Sequence, residues 1–362
     1  MTRPVDYSYL ANRVTSGQVQ GFKIWAQNRP EYASGSMTGQ IVALIIGLVF
    51  LGIVTFFTVV GTVAIVGTAT SQGYPVALLG LIVPLIAIGL LGLAIWGTAR
   101  FAGSNKRWER WFRLEGFARS NQLQFSPLDA NPQYPGAIFS SGSNRAAYDH
   151  LRSTSGRFLD YGNYRYVTSN GKSSTTHTWG FLALQLDRSL PHIVLDSLAN
   201  NGIFGSSLST YDKNQVLSLE GDFDKYFTLY CPAEYERDAL YVFTPDLMAL
   251  CIDNAAPFDV EIIDKWMFVY SARPFDMMQP YVHHRLLSIV ETVGAKTLRQ
   301  TARYSDERIG NFAANVVAPP GQRLKRKFPV WAIVMLVVLL GSILLVPAIA
   351  ILAAFASVLG QQ

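Results

Sequence analysis

The sequence predicts a membrane protein with three transmembrane helices and an α+β cytoplasmic domain. Half of its 362 residues are apolar and 15% are charged, whereas an ordinary soluble domain has about 25% charged residues. The deficit is local, because residues 32–99 contain no Asp, Glu, Lys or Arg, and neither do residues 328–362. These two uncharged runs contain the predicted spans.

The first uncharged run is long enough for two spans, at residues 40–66 and 75–99, with a short external loop at 67–74. The second run contains a third span at residues 330–358 and an external tail at 359–362. A bilayer core of about 30 Å needs about 20 apolar residues in a helix, and each span reaches that length. The alternative for each run is a buried core helix, and the lengths argue against it.

The distribution of basic residues predicts the orientation of the spans. Lys and Arg occur in the N-terminal tail (1–39) and at both ends of the segment 100–329, but not in the loop at 67–74 or in the C-terminal tail. Lys and Arg near span ends favour the cytoplasm. The N-terminal tail and the 100–329 domain are therefore predicted to be cytoplasmic, and the C-terminus external.

A basic and aromatic helix is predicted at the start of the domain, from Lys106 to Phe117, continuing span two. Aromatic side chains favour the headgroup level of a bilayer, and basic side chains attract anionic lipid. A second basic cluster directly precedes span three. The residues predicted to contact the membrane surface are Lys106, Arg107, Trp108, Arg110, Trp111, Arg113, Arg323, Lys325, Arg326 and Lys327. The alternative, which stays open, is that the aromatic side chains pack under the domain.

The cytoplasmic domain has runs of strand patterns with helical patterns between them, which predicts an α+β fold. Asn170-Gly171, between two aromatic and apolar runs, is typical of a hairpin turn. Pro and Gly between Ser126 and Asn144 predict a stretch of turns. Strands are predicted at 157–168, 176–187, 192–195, 216–219, 226–231, 258–263 and 267–270, and helices at 234–243, 246–252 and 280–301.

Two pairs of side chains are predicted to belong to the domain core. Phe223 and Phe227 are expected to enter it from a helical turn that Asp222 caps. Cys231 and Cys251 lie in the predicted cytoplasmic part, where a stable disulfide is not expected. We interpret both cysteines as small buried residues.

Four segments of the domain have distinctive sequences, and three of them are rich in aromatic residues. They are Leu219-Glu-Gly-Asp-Phe-Asp-Lys-Tyr-Phe-Thr-Leu-Tyr230, Thr244-Pro-Asp-Leu-Met248, Phe268-Val-Tyr270 and Trp179-Gly-Phe181. In these segments the chain resembles the bacterial membrane proteins catalogued as domain of unknown function 3137, as a divergent member with an added third span and a long polar N-terminal tail. The resemblance implies a multi-pass protein of the bacterial cell membrane with paired N-terminal spans and a cytoplasmic domain. It implies no activity.

The sequence lacks the common motifs of catalytic and metal sites. His283 and His284 are neighbours and point about 100° apart on a helix, so they do not share a metal ion as an i, i+4 pair does. Glu220, Asp222 and Asp224 lack the remainder of a calcium-binding loop. No Gly-x-Ser-x-Gly elbow or Walker loop is present. We therefore expect no catalytic residue, metal or cofactor.

These observations predict a membrane-anchored cytoplasmic module that binds or regulates another protein without evident catalysis. The expected partners are a membrane or cytoplasmic protein and a bilayer with anionic lipids, and no nucleic acid is expected. Two alternatives stay open. One is a membrane-bound, hydrolase-like enzyme with a site assembled from distant residues, and the other is an accessory subunit of a transport complex.

Overall fold

The computed structural model describes most of the chain outside the second and third predicted spans. Antiparallel strands and helices form two compact units, so the predicted α+β class is confirmed. The described residues are 4–32, 35–71, 82, 85–86, 88–89, 91–92, 106–169, 171, 173–201, 211–219, 221–311 and 314–325. Unit 1 comprises Met1–Tyr134, Ser141–Leu184 and Arg273–Ser288, and unit 2 comprises Pro135–Ser140, Gln185–Ala272 and Ile289–Gln362.

The N-terminal tail is folded. Helix α1 (Ser8–Ala11) is short, and helix α2 (Ser16–Gln27) begins with a capping box. In this box the Thr15 hydroxyl accepts from the Gln18 N–H, and the Gln18 side chain accepts from the Thr15 N–H. Both hydrogen bonds satisfy backbone N–H groups that have no acceptor within the first turn of the helix.

Helix α3 (Gly35–Ser71) contains all of the first predicted span. Among the described residues it is the one helix long and apolar enough to cross a membrane. Its window Leu51–Thr68 has a mean hydropathy of 2.1, and only 12% of the window is buried. The hydroxyls of Thr55 and Thr58 each donate to the carbonyl four residues earlier, at 2.8 Å. These polar groups are therefore satisfied without water, as a membrane interior requires.

The second and third predicted spans lie largely outside the described residues. Between Ile82 and Gly92 a few residues are described, and these are helical. Residues 330–358, which form the third predicted span, lie outside altogether. The structure thus supports one of the three predicted spans.

The sheet of unit 1 follows helix α4 (Lys106–Ser120). Its strands pair antiparallel in chain order: β1 (Leu123–Ala130), β2 (Ser143–Ser153), β3 (Leu159–Ser169) and the first part of β4 (Ser174–Ser197). Ser169 pairs with Ser174 across the predicted hairpin turn. Gly171 in that turn has φ +83°, a conformation that favours glycine.

Strand β2 contains a bulge that shapes one face of unit 1. Its register with β3 shifts between Tyr148 and Leu151, and Asp149 has φ +46°. Gly162 on β3 lies directly against this bulge, where a Cβ atom would come 2.5 Å from the Cα of His150. The glycine is therefore needed for the close approach, and the bulge redirects the Asp149 side chain.

Unit 2 contains the second part of β4 and three further strands. These are β5 (Val216–Leu217), β6 (Phe227–Tyr230) and β7 (Asp259–Ser271). Strand β6 pairs antiparallel with both β4 and β5, and β7 also pairs with β4. The helices after β6 are α5 (Glu236–Val242), α6 (Pro245–Ala255), α7 (Pro280–Ile289), α8 (Ala295–Thr301) and α9 (Pro319–Gln322), of which α7 lies almost wholly in unit 1.

Most of the predicted strands and helices are confirmed, but several of their boundaries were wrong. The stretch of turns predicted at 126–144 is shorter, because β1 continues to Ala130 and β2 begins at Ser143. The predicted strands at 176–187 and 192–195 are one strand, β4. Those at 258–263 and 267–270 are likewise one strand, β7.

The predicted core position of Phe223 and Phe227 is confirmed, since they are 1% and 0% exposed and their rings stack at 5.2 Å. The predicted cap is wrong, because the Asp222 side chain makes no capping hydrogen bond. Asp224 stabilises the turn instead, accepting from the Ser218 hydroxyl and from the Leu219 N–H.

Candidate membrane-contact site

The start of α4 presents three of the predicted membrane-contact residues at the surface of unit 1. Lys106 is exposed, and Arg107 and Trp108 are partly exposed. The Arg107 guanidinium lies 5.3 Å from the ring centroid of Trp108 and 5.1 Å from that of Trp111. Partial burial lowers the pKa of Arg107. These contacts hold the basic group against aromatic faces.

The next turn of α4 faces the sheet of unit 1. Arg110 forms a 3.0 Å ion pair with Asp149, and the Trp111 Nε1–H donates to the same carboxylate at 3.2 Å. Trp111 is 7% exposed. The structure therefore places Trp111 in the core of unit 1 and not at its surface, which agrees with the alternative interpretation of the aromatic residues.

Arg113 binds the N-terminal tail. Its Nη1 donates to the carbonyls of Leu10 and Asn12 at 3.1 and 2.7 Å, and its Nη2 pairs with Glu109 at 2.9 Å. A positive side chain at the C-terminal end of a helix satisfies open carbonyls and complements the helix dipole. The positive charge of Arg113 therefore stabilises the C-terminal end of α1.

The tail also packs on the second half of α4. The Tyr32 hydroxyl donates to Glu115 at 2.8 Å, and burial followed by the nearby Glu115 charge raises the pKa of Tyr32. Arg119 pairs with Glu115 at 2.6 Å and lies over the Trp25 ring. Gly116 touches the Tyr9 ring so closely that any Cβ atom would overlap it. The chain before α3 is therefore attached to unit 1 over much of its length.

The segment before the third predicted span is attached to unit 2. The Lys325 N–H donates to the Gln215 side chain at 2.9 Å, and the Lys325 carbonyl accepts from the same side chain at 2.8 Å. Arg323 donates to the carbonyl of Pro135 at 2.8 Å. Apart from these contacts, Arg323 and Lys325 are both exposed. The remaining two predicted contact residues, Arg326 and Lys327, lie outside the described residues.

A buried polar cluster in unit 2 fixes the same segment. Glu261, which is 0% exposed, accepts from His192 Nε2 at 2.7 Å, from the Tyr270 hydroxyl at 2.6 Å and from the Ala137 N–H at 2.8 Å. The Leu324 N–H donates to His192 Nδ1 at 3.0 Å, which assigns the ring proton to Nε2. Burial alone would raise the pKa of Glu261, but its hydrogen bonds hold it below the ordinary value.

His283 is a structural residue of unit 1. Its Nε2 contacts the Met277 carbonyl at 2.8 Å, and its Nδ1 contacts the Tyr161 hydroxyl at 3.2 Å. The ring is 0% exposed and lies 4.3 Å from the Phe117 ring. Burial lowers the pKa of His283 to about 4, so the imidazole is neutral at pH 7. Both ring nitrogens are occupied and neither is open to a metal ion.

A second buried histidine in unit 1 pairs with a carboxylate. His150 Nδ1 lies 2.7 Å from Asp160 Oδ1, and both side chains are 0% exposed. Burial alone would raise the pKa of Asp160, but His150, Arg152 and the Tyr134 hydroxyl hold it below the ordinary value. This geometry orients an imidazole as in an acid–base pair, but full burial keeps the pair from substrate. Its role is to join β2 to β3.

One buried carboxyl in unit 2 has a strongly raised pKa. Burial, together with the nearby charge of Asp196, raises the pKa of Asp259 to about 7. The carboxyl accepts from the Ser197 N–H at 2.9 Å and from the Asn200 side chain at 2.7 Å. Because Asp259 is 0% exposed, these bonds tie β7 to the end of β4.

Both cysteines are buried thiols. Cys231 and Cys251 are both buried and free, as predicted, and burial raises the pKa of each thiol to about 12. Across the described ranges no group of three or more His, Cys, Asp or Glu side chains is arranged to hold a metal ion.

Comparison with known proteins gives little that bears on this site. No family model matches the chain, and no curated protein matches it. Among solved structures the chain is similar to the mycobacterial trehalose monomycolate transport factor A, TtfA, with 12% identity and a TM-score of 0.35. The match covers 52% of this chain and 93% of that chain. At this TM-score the similarity supports no conclusion about fold or function.

Proposed function

We propose that the chain is a membrane-anchored module that binds or regulates a second membrane or cytoplasmic protein. In this proposal both units lie on the cytoplasmic side of a bacterial cell membrane, and the three predicted spans anchor them. Anionic lipid is a further contact, at Lys106, Arg107 and Trp108, which are exposed or partly exposed at the start of α4.

The observation that carries the proposal is the uncovered apolar surface of α3. Phe56 and Phe57 are 62% and 67% exposed, and Val49 and Ile53 are exposed by half or more. Moving one such side chain out of water is favourable by about 1.5–3 kcal/mol. A helix with many of them is stable when lipid covers it, and the satisfied Thr hydroxyls suit that environment.

The attachment of both units near their predicted membrane-facing ends supports the same proposal. Arg113 and Glu115 bind the chain that precedes α3, and His192 and Gln215 bind the segment at Leu324 and Lys325. Rigid attachment next to an anchor holds a folded unit close to the bilayer. This arrangement suits docking to other components of the membrane.

A photo-crosslinking side chain tests for the partner. It would replace the exposed Tyr281 of unit 1 or Leu240 of unit 2, which are 68% and 51% exposed, in the full chain in its own cells. We expect a discrete adduct with one protein from at least one of these apolar positions, detected by mass spectrometry of the membrane fraction.

The matched control carries the same side chain at Ser155, an exposed polar position between β2 and β3. We expect no discrete adduct there. Identical adducts at Ser155, or none from either apolar position, would contradict a specific partner.

A further inference from the structure

An open groove in unit 2, hereafter the arginine groove, has the character of an anion-binding site. It has a volume of about 550 Å³, and the residues that define it here are Arg237, Tyr241, Arg303, Tyr304 and Arg308. Arg237 and Tyr241 lie on α5, and the other three follow α8. Its size falls within the range of about 300–1,000 Å³ that is typical of small-molecule sites.

The floor of the arginine groove is fixed by hydrogen bonds. Asp238 accepts from the Tyr304 hydroxyl at 2.7 Å and from Arg308 at 3.2 Å. Arg308 also pairs with Asp306 at 3.2 Å, and its guanidinium lies 3.8 Å from the ring centroid of Tyr235. These contacts hold Arg308 in place and occupy the carboxylate of Asp238.

The guanidinium groups of the two other arginines have no such contacts. Arg237 and Arg303 are exposed, and neither side chain has an ion pair or hydrogen bond to any residue that the structure describes. Glu307 also lines the groove. Apart from Arg308 and its two carboxylate partners, the groove therefore has two guanidinium groups and one carboxylate.

We propose that the arginine groove binds a phosphate ester, with Arg237 and Arg303 as the phosphate ligands. Guanidinium groups present paired N–H donors that match the oxygens of a phosphate. The groove is larger than inorganic phosphate alone, and Tyr241, which is 41% exposed, offers a ring face to the body of the ester. The ester belongs either to a soluble metabolite or to a phospholipid headgroup. The proposal does not depend on the protein partner.

Binding of two probes to the full chain in neutral detergent micelles tests this site. The soluble probe is glycerol 3-phosphate, and the lipid probe is phosphatidic acid added to the micelles, which carries the same phosphate monoester. We expect saturable binding of at least one probe by calorimetric titration. Binding of glycerol 3-phosphate identifies a soluble ligand, and binding of phosphatidic acid alone identifies a lipid headgroup.

The variant Arg237→Gln/Arg303→Gln is expected to weaken that binding by about tenfold for each arginine, or about 1.4 kcal/mol each. Its melting temperature should not change, because neither side chain has a partner to lose. The control Arg13→Gln/Lys213→Gln removes two exposed positive charges at residues that do not line the groove, and its affinity should equal that of the unaltered chain. No binding of either probe, an unchanged affinity in the groove variant, or an equal loss in the control would overturn the proposal.

Discussion

Replacing Phe227 by Ala is expected to lower the free energy of unfolding of unit 2 by about 3–5 kcal/mol. Phe227 is 0% exposed, and its ring stacks on that of Phe223, which is 1% exposed. Truncation removes the buried ring and leaves a cavity that neighbouring side chains fill only in part. Denaturant titration of the full chain in neutral micelles, followed by hydrogen exchange of unit 2 amides, measures the loss.

Tyr226 provides the matched control, because it is adjacent in sequence and 41% exposed. Tyr226→Ala should change the free energy of unfolding by about 0.5 kcal/mol or less. Equal losses for the two variants would mean that Phe227 does not contribute to a closed core. Phe223→Ala should resemble Phe227→Ala, and the two effects should not add because the rings touch.

Removing the Glu261 carboxylate is the second change with a large expected effect. Glu261→Ala should destabilise unit 2 by about 3–5 kcal/mol, because it leaves His192, the Tyr270 hydroxyl and the Ala137 N–H without their acceptor. An unsatisfied buried donor costs about 1–3 kcal/mol. The same denaturant titration measures the change.

The isosteric variant Glu261→Gln separates the hydrogen bonds from the packing. Its amide NH₂ must face one of the three donors, and His192 cannot exchange its proton because Nδ1 already accepts from Leu324. We therefore expect a loss for Gln as well, smaller than for Ala. Asp253→Ala, at an exposed position of α6, should have little effect. A Gln variant as stable as the unaltered chain would show that the charge and the proton positions are unimportant.

The long apolar helix α3 and the hairpin turn at Gly171 were the most predictable features of the sequence. The uncharged run around α3 predicts a long helix because charged side chains are costly in lipid, and α3 contains all of residues 40–66. Asn170-Gly171 predicts a hairpin because its turn needs a positive φ, and Gly171 has one. Both signals are local, so no tertiary information was needed.

The full extents of strands β1, β4 and β7 could not be recognised from local pattern. Pro127 interrupts the strand pattern of β1, but among the strands that the structure describes β1 pairs only with β2, and proline is tolerated on such an edge strand. The gap predicted at 188–191, which contains Pro191, lies within one continuous strand, β4. The gap predicted at 264–266 likewise lies within β7, where Asp264 has φ +50°. Tertiary pairing decides each of these cases.

The hydrogen bonds that hold the chain around the candidate site join residues far apart in sequence. Local sequence patterns therefore could not predict them. Arg113 binds the carbonyl of Asn12, 101 residues earlier, and His192 binds Glu261, 69 residues later. One signal was present in the sequence and was overlooked. Thr15-x-x-Gln18 has capping-box spacing, and it indicates that the N-terminal tail is helical.

Sidedness in intact cells tests most directly whether α3 anchors the units on the cytoplasmic side. Single reporters Gly73→Cys, in the predicted external loop, and Ser143→Cys, at an exposed position of β2, would be treated with a membrane-impermeant maleimide. Cys231 and Cys251 should give little background, because both are buried and their pKa is raised to about 12. We expect Gly73→Cys to react in sealed cells and Ser143→Cys to react only after permeabilisation. Labelling of Ser143→Cys in sealed cells would contradict the cytoplasmic placement of the domain.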